Sequence, residues 1–162
     1  MTSSGPATYA QGMGRQNSLT RGPALVTAPE ADDKLPITVV FTTVPATLAA
    51  LRDAAILADK LNARITLMVP QVVPYPAPLE ASPVLREFSE HRFRVMAKDA
   101  CVDMDVRICL CRDPLGELRL LLPVGSIIVL GGRSRRFLPG KDARLARGLR
   151  DAGYEVIFRE ME

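Results

Sequence analysis

From Leu35 onward the chain alternates short β-branched or aliphatic runs with longer stretches in which apolar residues recur every three or four positions. ITVVF (37–41) suits a strand buried on both faces. After it Thr43 can cap a helix and Pro45 fits a first helical turn, while Leu48, Leu51, Ala54, Ala55, Ala58 and Leu61 fall at helical spacing. RITLMV (64–69) predicts a second strand, and the proline-rich VVPYPAPLEASP that follows predicts a loop. Ser82-Pro83 opens a second helix expected to turn Val84, Leu85, Phe88, Val95 and Met96 inward, and DVRICL (105–110) alternates as a third strand does. Pro114 starts a short helix through Leu122, SIIVLG (126–131) is a fourth strand, Asp142 can cap a last helix, and YEVIF (154–158) is a fifth strand. Regular βαβ alternation with crossovers of this length predicts one parallel sheet covered by helices.

Residues 1–34 have a different texture, rich in Ser, Thr, Gly, Pro and Ala, without periodicity and with few large apolar groups. Such a segment cannot bury enough surface to offset its ordering entropy, so a disordered tail is expected there and a single α/β domain over 35–162. No apolar run approaches the roughly 18 to 20 residues that span a bilayer, and residues 1–34 hold no apolar signal-peptide core. Cytoplasmic residence without a membrane partner is the expectation.

The formal charge of +3 conceals a local asymmetry. Between residues 133 and 150 stand seven basic residues, Arg133, Arg135, Arg136, Lys141, Arg144, Arg147 and Arg150, against the single acid Asp142. This segment follows strand four and enters the last helix, the place where parallel α/β proteins hold phosphates on helix N-termini. An anionic ligand at residues 133–150 is therefore a candidate, and a solvated basic helix face is the plain alternative. Nothing in the pattern points to specific nucleic-acid binding.

Other chemistry is thin. Cys109 and Cys111 share one face of a strand, held too far apart for easy bridging, and are expected to pack in the core. His91, the one histidine, lies on the charged stretch EHRFR and is expected to be exposed. Thr42-Thr43 at the end of strand one cannot hold the magnesium of a phosphorelay receiver domain, and no Gly-x-x-x-x-Gly-Lys-Ser/Thr loop exists. No set of acid, base and nucleophile emerges, so no enzyme is expected.

Four stretches, read in order, carry a family likeness: ALRDAAILA (50–58), RITLMVPQVVP (64–74), CRDP (111–114) and GSIIVLGGRS (125–134). Over roughly residues 35–160 the chain resembles the universal stress protein family. The resemblance implies a doubly wound five-stranded parallel sheet in the order 3-2-1-4-5, of the adenine-nucleotide α-hydrolase-like kind. It places a nucleotide site at Thr42, Thr43, Val69, Arg112, Asp113, Gly131, Gly132, Arg133, Ser134, Lys141 and Arg144. It also implies a homodimer through the edge strand Tyr154–Phe158, which has no charged residue between Val156 and Phe158 to blunt it.

The departures from the family pattern bear on function. Nucleotide-binding members carry an Asp where this chain has Thr42, and a Gly-x-x-Gly signature whose second glycine is Ser134 here. The glycine of the strand-three turn is Arg112. Glycines in such loops let phosphate oxygens approach bare backbone N–H groups. Their loss, with an Asp near the helix N-terminus to occupy the anion position, predicts a degenerate site without a cofactor, in a domain that works through protein association. The alternative is a regulator that holds ATP or another anion through arginines, which can contact phosphate in bidentate fashion.

Overall fold

The computed structural model describes residues 34–79, 83–133 and 139–161, the side chains of residues 83–88 and 90 excepted. Among the described residues five strands and four helices alternate: β1 (Pro36–Val40), α1 (Val44–Leu61), β2 (Arg64–Val72), α2 (Pro83–Asp99), β3 (Met104–Cys111), α3 (Pro114–Leu121), β4 (Ile127–Gly132), α4 (Lys141–Asp151) and β5 (Glu155–Glu160). The strands pair in parallel in the expected order, β3-β2-β1-β4-β5. This compact unit spans Asp33–Glu162. The segment expected to be a disordered tail, Lys34 apart, lies outside the described residues.

Strand alternation divides the core in two. Ile37, Val39, Ile65, Leu67, Val69 and Val129 face Ala50, Leu51 and Ala54 of α1 and Phe93 and Met96 of α2. Val40, Met68, Cys109, Ile128, Leu130 and Val156 face Leu118 of α3 and Ala146 and Leu149 of α4. The three central strands thus bury both faces, which is why they read as continuous apolar runs.

Several sequence-based details are corrected. β2 runs three residues beyond the expected end, through Pro70. The register in which the Phe41 N–H donates to the Met68 carbonyl turns even-numbered β2 residues toward β1. The next ladder bond in this register would run from residue 70 to the Phe41 carbonyl, and Pro70, having no N–H, ends the β1–β2 ladder there. Thr43 holds the N-cap position of α1 but makes no side-chain capping bond. Leu61, last of the residues at helical spacing, is exposed at the last position of α1, where the chain turns at left-handed Asn62 (φ 48°). Val95, expected inward, is 44% exposed. The buried face of α2 runs instead through Phe93, Met96 and Ala97, and Phe93 meets Phe41 edge-on at 4.9 Å. The side chains of Val84, Leu85 and Phe88 lie outside the described residues. Ser126, placed in strand four by its sequence, precedes β4 and donates its hydroxyl to the Pro123 carbonyl at 2.8 Å.

Candidate functional site

In an open parallel sheet, ligands sit beyond the carboxyl ends of the strands where connections leave toward opposite faces. Here that point lies between β1 and β4. Among the described residues, two crevices open at this end. The larger, about 540 Å³, is lined by Phe41 and Thr42 after β1, Pro70 and Val72 of β2, Arg112 to Leu115 after β3, and Lys141, Asp142, Arg144 and Leu145 at the start of α4. The smaller, about 300 Å³, is lined by Thr43, Pro45, Ala46, Arg133, Asp142 and Met161. Asp142 stands in the wall of both.

The end of β1 is tied to the end of β4. The Thr42 hydroxyl donates to the Gly131 carbonyl at 2.6 Å, and the Thr42 N–H donates to the Thr47 hydroxyl at 3.2 Å. Gly131 is glycine for a packing reason: a methyl group there would collide with the Ala46 carbonyl in the first turn of α1. The bare backbone at Gly131 admits a helix.

Gly132 is covered in a similar way. A methyl there would lie 2.6 Å from the Asp142 Cβ and 2.8 Å from its Oδ2. Gly140, not Asp142, is the N-cap of α4, and Asp142 is the second residue of the helix. It cannot cap from there, but its carboxylate enjoys the free N–H groups and dipole of the helix start. Burial raises the Asp142 pKa above the usual carboxylate range, and neighbouring Lys141 opposes the rise.

Arg112 is committed to the loop after β2. Its guanidinium donates to the Val73 carbonyl at 2.8 Å and the Ala77 carbonyl at 2.6 Å, and lies 3.9 Å from the centre of the Tyr75 ring. Asp113 is committed to α3. Its two carboxylate oxygens accept from the N–H groups of Leu115 and Gly116 at 3.2 and 3.1 Å, with Pro114 in the first turn. Lys141 and Arg144 line the larger crevice and are exposed.

Behind this end of the sheet, Cys109 and Cys111 are buried as expected, with their sulfurs 3.8 Å from the Val69 carbonyl and 3.7 Å from the Gln71 carbonyl. Burial, reinforced by Cys111 and Glu117, pushes the Cys109 thiol up to about 12, and burial likewise raises Cys111. Neither is poised as a thiolate nucleophile at neutral pH. Among the described residues no three His, Cys, Asp or Glu side chains gather to hold a metal, and no helix is long and apolar enough to cross a membrane.

Of the site residues named from the sequence, Thr42, Arg112, Asp113, Lys141 and Arg144 meet in the larger crevice, and Thr43 and Arg133 in the smaller. Gly131 and Gly132 form the buried end of β4 between them. Val69 is 2% exposed in the core against α1 and lines neither crevice. Ser134 lies outside the described residues. Sequence reasoning missed Phe41, Pro70, Val72, Leu115 and Leu145 as crevice walls. Pro70 and Val72 were missed because Pro70 reads as the end of a strand. Their signal was the apolar pair Val72-Val73 beyond it, too long a run for a strand closed at Val69.

The arrangement matches solved structures. The chain superposes on a universal stress protein from Archaeoglobus fulgidus with a TM-score of 0.54 and 13% identity, covering 76% of this chain and 92% of that one. A universal stress protein family structure from Burkholderia pseudomallei gives 0.51 and 21%, covering 78% and 96%. A universal stress protein in complex with cAMP gives 0.53 and 17%, covering 80% and 98%. No family model matches the sequence, and no curated protein matches it. The fold is that of the universal stress proteins, as the resemblance in the sequence implied.

Proposed function

We propose that this chain is a divergent, non-catalytic domain of the universal stress protein kind, whose nucleotide site is degenerate and which serves a cytoplasmic stress response by protein association. The observation that carries the reading is Asp142, a carboxylate packed on Gly132 at the N-terminus of α4. An incoming phosphate would meet that negative charge in the position a helix N-terminus offers an anion. Two other groups of the crevice are occupied as well: the Thr42 hydroxyl by the Gly131 carbonyl and the Arg112 guanidinium by the loop after β2. The Asp113 carboxylate is held by the Leu115 and Gly116 N–H groups at the start of α3, which favours a structural role for it over a catalytic one. The surface for association is the edge strand β5, with a second copy of the chain as partner.

One observation favours a second reading. The larger crevice has the volume of a small-molecule site and three cations, Arg112, Lys141 and Arg144, in its wall. A relative in fold is in complex with cAMP, and another, from Archaeoglobus fulgidus, with dAMP. On this reading the chain is a regulator that holds ATP or another anion. Isothermal titration with ATP, GTP and polyphosphate at physiological salt separates the two. The first reading expects weak, salt-sensitive binding indifferent to the base, strengthened by Asp142→Asn. A micromolar, adenine-selective, magnesium-dependent isotherm in the unaltered chain establishes the second.

A further inference from the structure

The Arg150 guanidinium reaches back from the last turn of α4 to the Val156 carbonyl, six residues on in β5. Its Nε lies 3.3 Å and its Nη2 3.1 Å from that oxygen. The direction in which the oxygen points gives the contact its meaning. The Met161 N–H donates to the Gly132 carbonyl, and Gly132 is in register with Glu160. In a parallel pair the N–H and C=O of one residue point to the same side, and sides alternate along the strand. Residues 155, 157 and 159 therefore face β4, and Val156, Phe158 and Glu160 direct their N–H and C=O to the open edge of the sheet. Arg150 holds the first of these three free carbonyls.

Edge strands invite pairing, and proteins blunt them with charged side chains placed on or over the edge. β5 has no such residue from Val156 to Phe158 in its own sequence. The charge is supplied from outside the strand. The neighbouring turn is also tied down, with the Tyr154 hydroxyl 3.3 Å from the Arg119 carbonyl and 3.4 Å from the Leu122 carbonyl. We propose that Arg150 is an edge guard: while its guanidinium holds the Val156 carbonyl, only the Phe158–Glu160 end of β5 is open to a second strand, and full pairing requires Arg150 to let go. The proposal rests on the reading of β5 as the association surface and names the residue that restrains it.

The test uses the full chain and two variants, Arg150→Met, which keeps an apolar stem and loses the donors, and Arg150→Met with Val156→Pro, which also removes an outward N–H. Association is followed by sedimentation equilibrium from micromolar to millimolar concentration. Arg150→Met is expected to self-associate about tenfold more tightly, since a two-fold pair recovers two carbonyls at about 1 kcal/mol each at most. Adding Val156→Pro is expected to reverse the gain. In nuclear magnetic resonance the Arg150 Nε–H of the unaltered chain is expected to exchange more slowly than that of exposed Arg147. Equal exchange overturns the guard. Association of the unaltered chain that Arg150→Met leaves unchanged or weakens overturns the guard and spares the association reading. Absence of association in both the chain and Arg150→Met overturns both.

Discussion

The Thr42 hydroxyl and the Gly131 carbonyl, 89 residues apart in sequence, meet at 2.6 Å and close the gap between β1 and β4 where the sheet opens toward its crevices. The bond extends a ladder whose last backbone pair is Val40 with Leu130. It also uses the side chain that the family resemblance would have facing a nucleotide.

Replacing Thr42 by Val keeps the shape and removes the donor. The Gly131 carbonyl then loses its partner in a partly buried position, a loss of about 1 kcal/mol that lowers the thermal midpoint by roughly 3 to 5 °C. Circular dichroism melting measures it, and an unchanged midpoint would show that water replaces the hydroxyl at no cost.

Gly131→Ala is expected to be among the most damaging single changes in the domain. The new methyl meets the backbone of α1, not a flexible side chain, so relief requires the helix to move. Overpacking of this kind costs about 3 kcal/mol or more when backbone must shift, readable as a lower urea midpoint. Substitutions at Gly131 therefore report on folding, and loss of ligand binding in such a variant carries no information about a phosphate cradle.

Asp142 makes stability depend on pH with a defined sign. Its folded pKa is raised by burial, so the unfolded chain releases this proton first, near the ordinary value of about 3.9. Its contribution to stability is thus most favourable below that pH and declines as pH rises through the raised pKa. Asp142→Asn removes the dependence: the variant is expected to match the unaltered chain in acid and to exceed its urea midpoint at neutral pH. Equal midpoints at both pH values would show that the helix N-terminus fully compensates the desolvation.

The three thiols are expected to separate kinetically. Cys101 is exposed and reacts with a disulfide reagent at once, while Cys109 and Cys111 react only as the domain opens. The Cys109 pKa of about 12 also predicts an alkaline weakness. The unfolded thiol ionises near 8.5, so stability is full below that pH and is lost as pH rises toward 12. Cys109→Ala should flatten the alkaline limb of a plot of midpoint against pH.

Arg112→Gly, which restores the residue of the family pattern, is expected to release the loop after β2. Two guanidinium hydrogen bonds and the stacking on Tyr75 disappear together. Limited proteolysis should cut between residues 73 and 79 faster in the variant, with little change in the melting of the sheet. Equal cutting rates would mean that the loop is ordered by its prolines alone.

The sequence by itself determined the strand and helix types, because each element satisfies a local rule: two-sided burial for ITVVF, helical spacing for the first helix, an Asp-Pro start for α3. It determined the sheet order through the resemblance carried by four short stretches, and the packing of Cys109 and Cys111 through residue type. What only the tertiary structure decided is how each crevice group is employed. Gly131 and Gly132 read as a phosphate cradle, yet one admits the backbone of α1 and the other the carboxylate of Asp142. Arg112 reads as a nucleotide-site residue and Arg150 as part of a basic segment, yet one holds a loop and the other a strand edge. Val95 reads as core, yet the buried face of its helix was set by Phe93 against Phe41. In each case the deciding partner lies far away in sequence or across an element boundary. Local pattern specifies which elements form; the contacts made when they pack determine what their polar groups and glycines do.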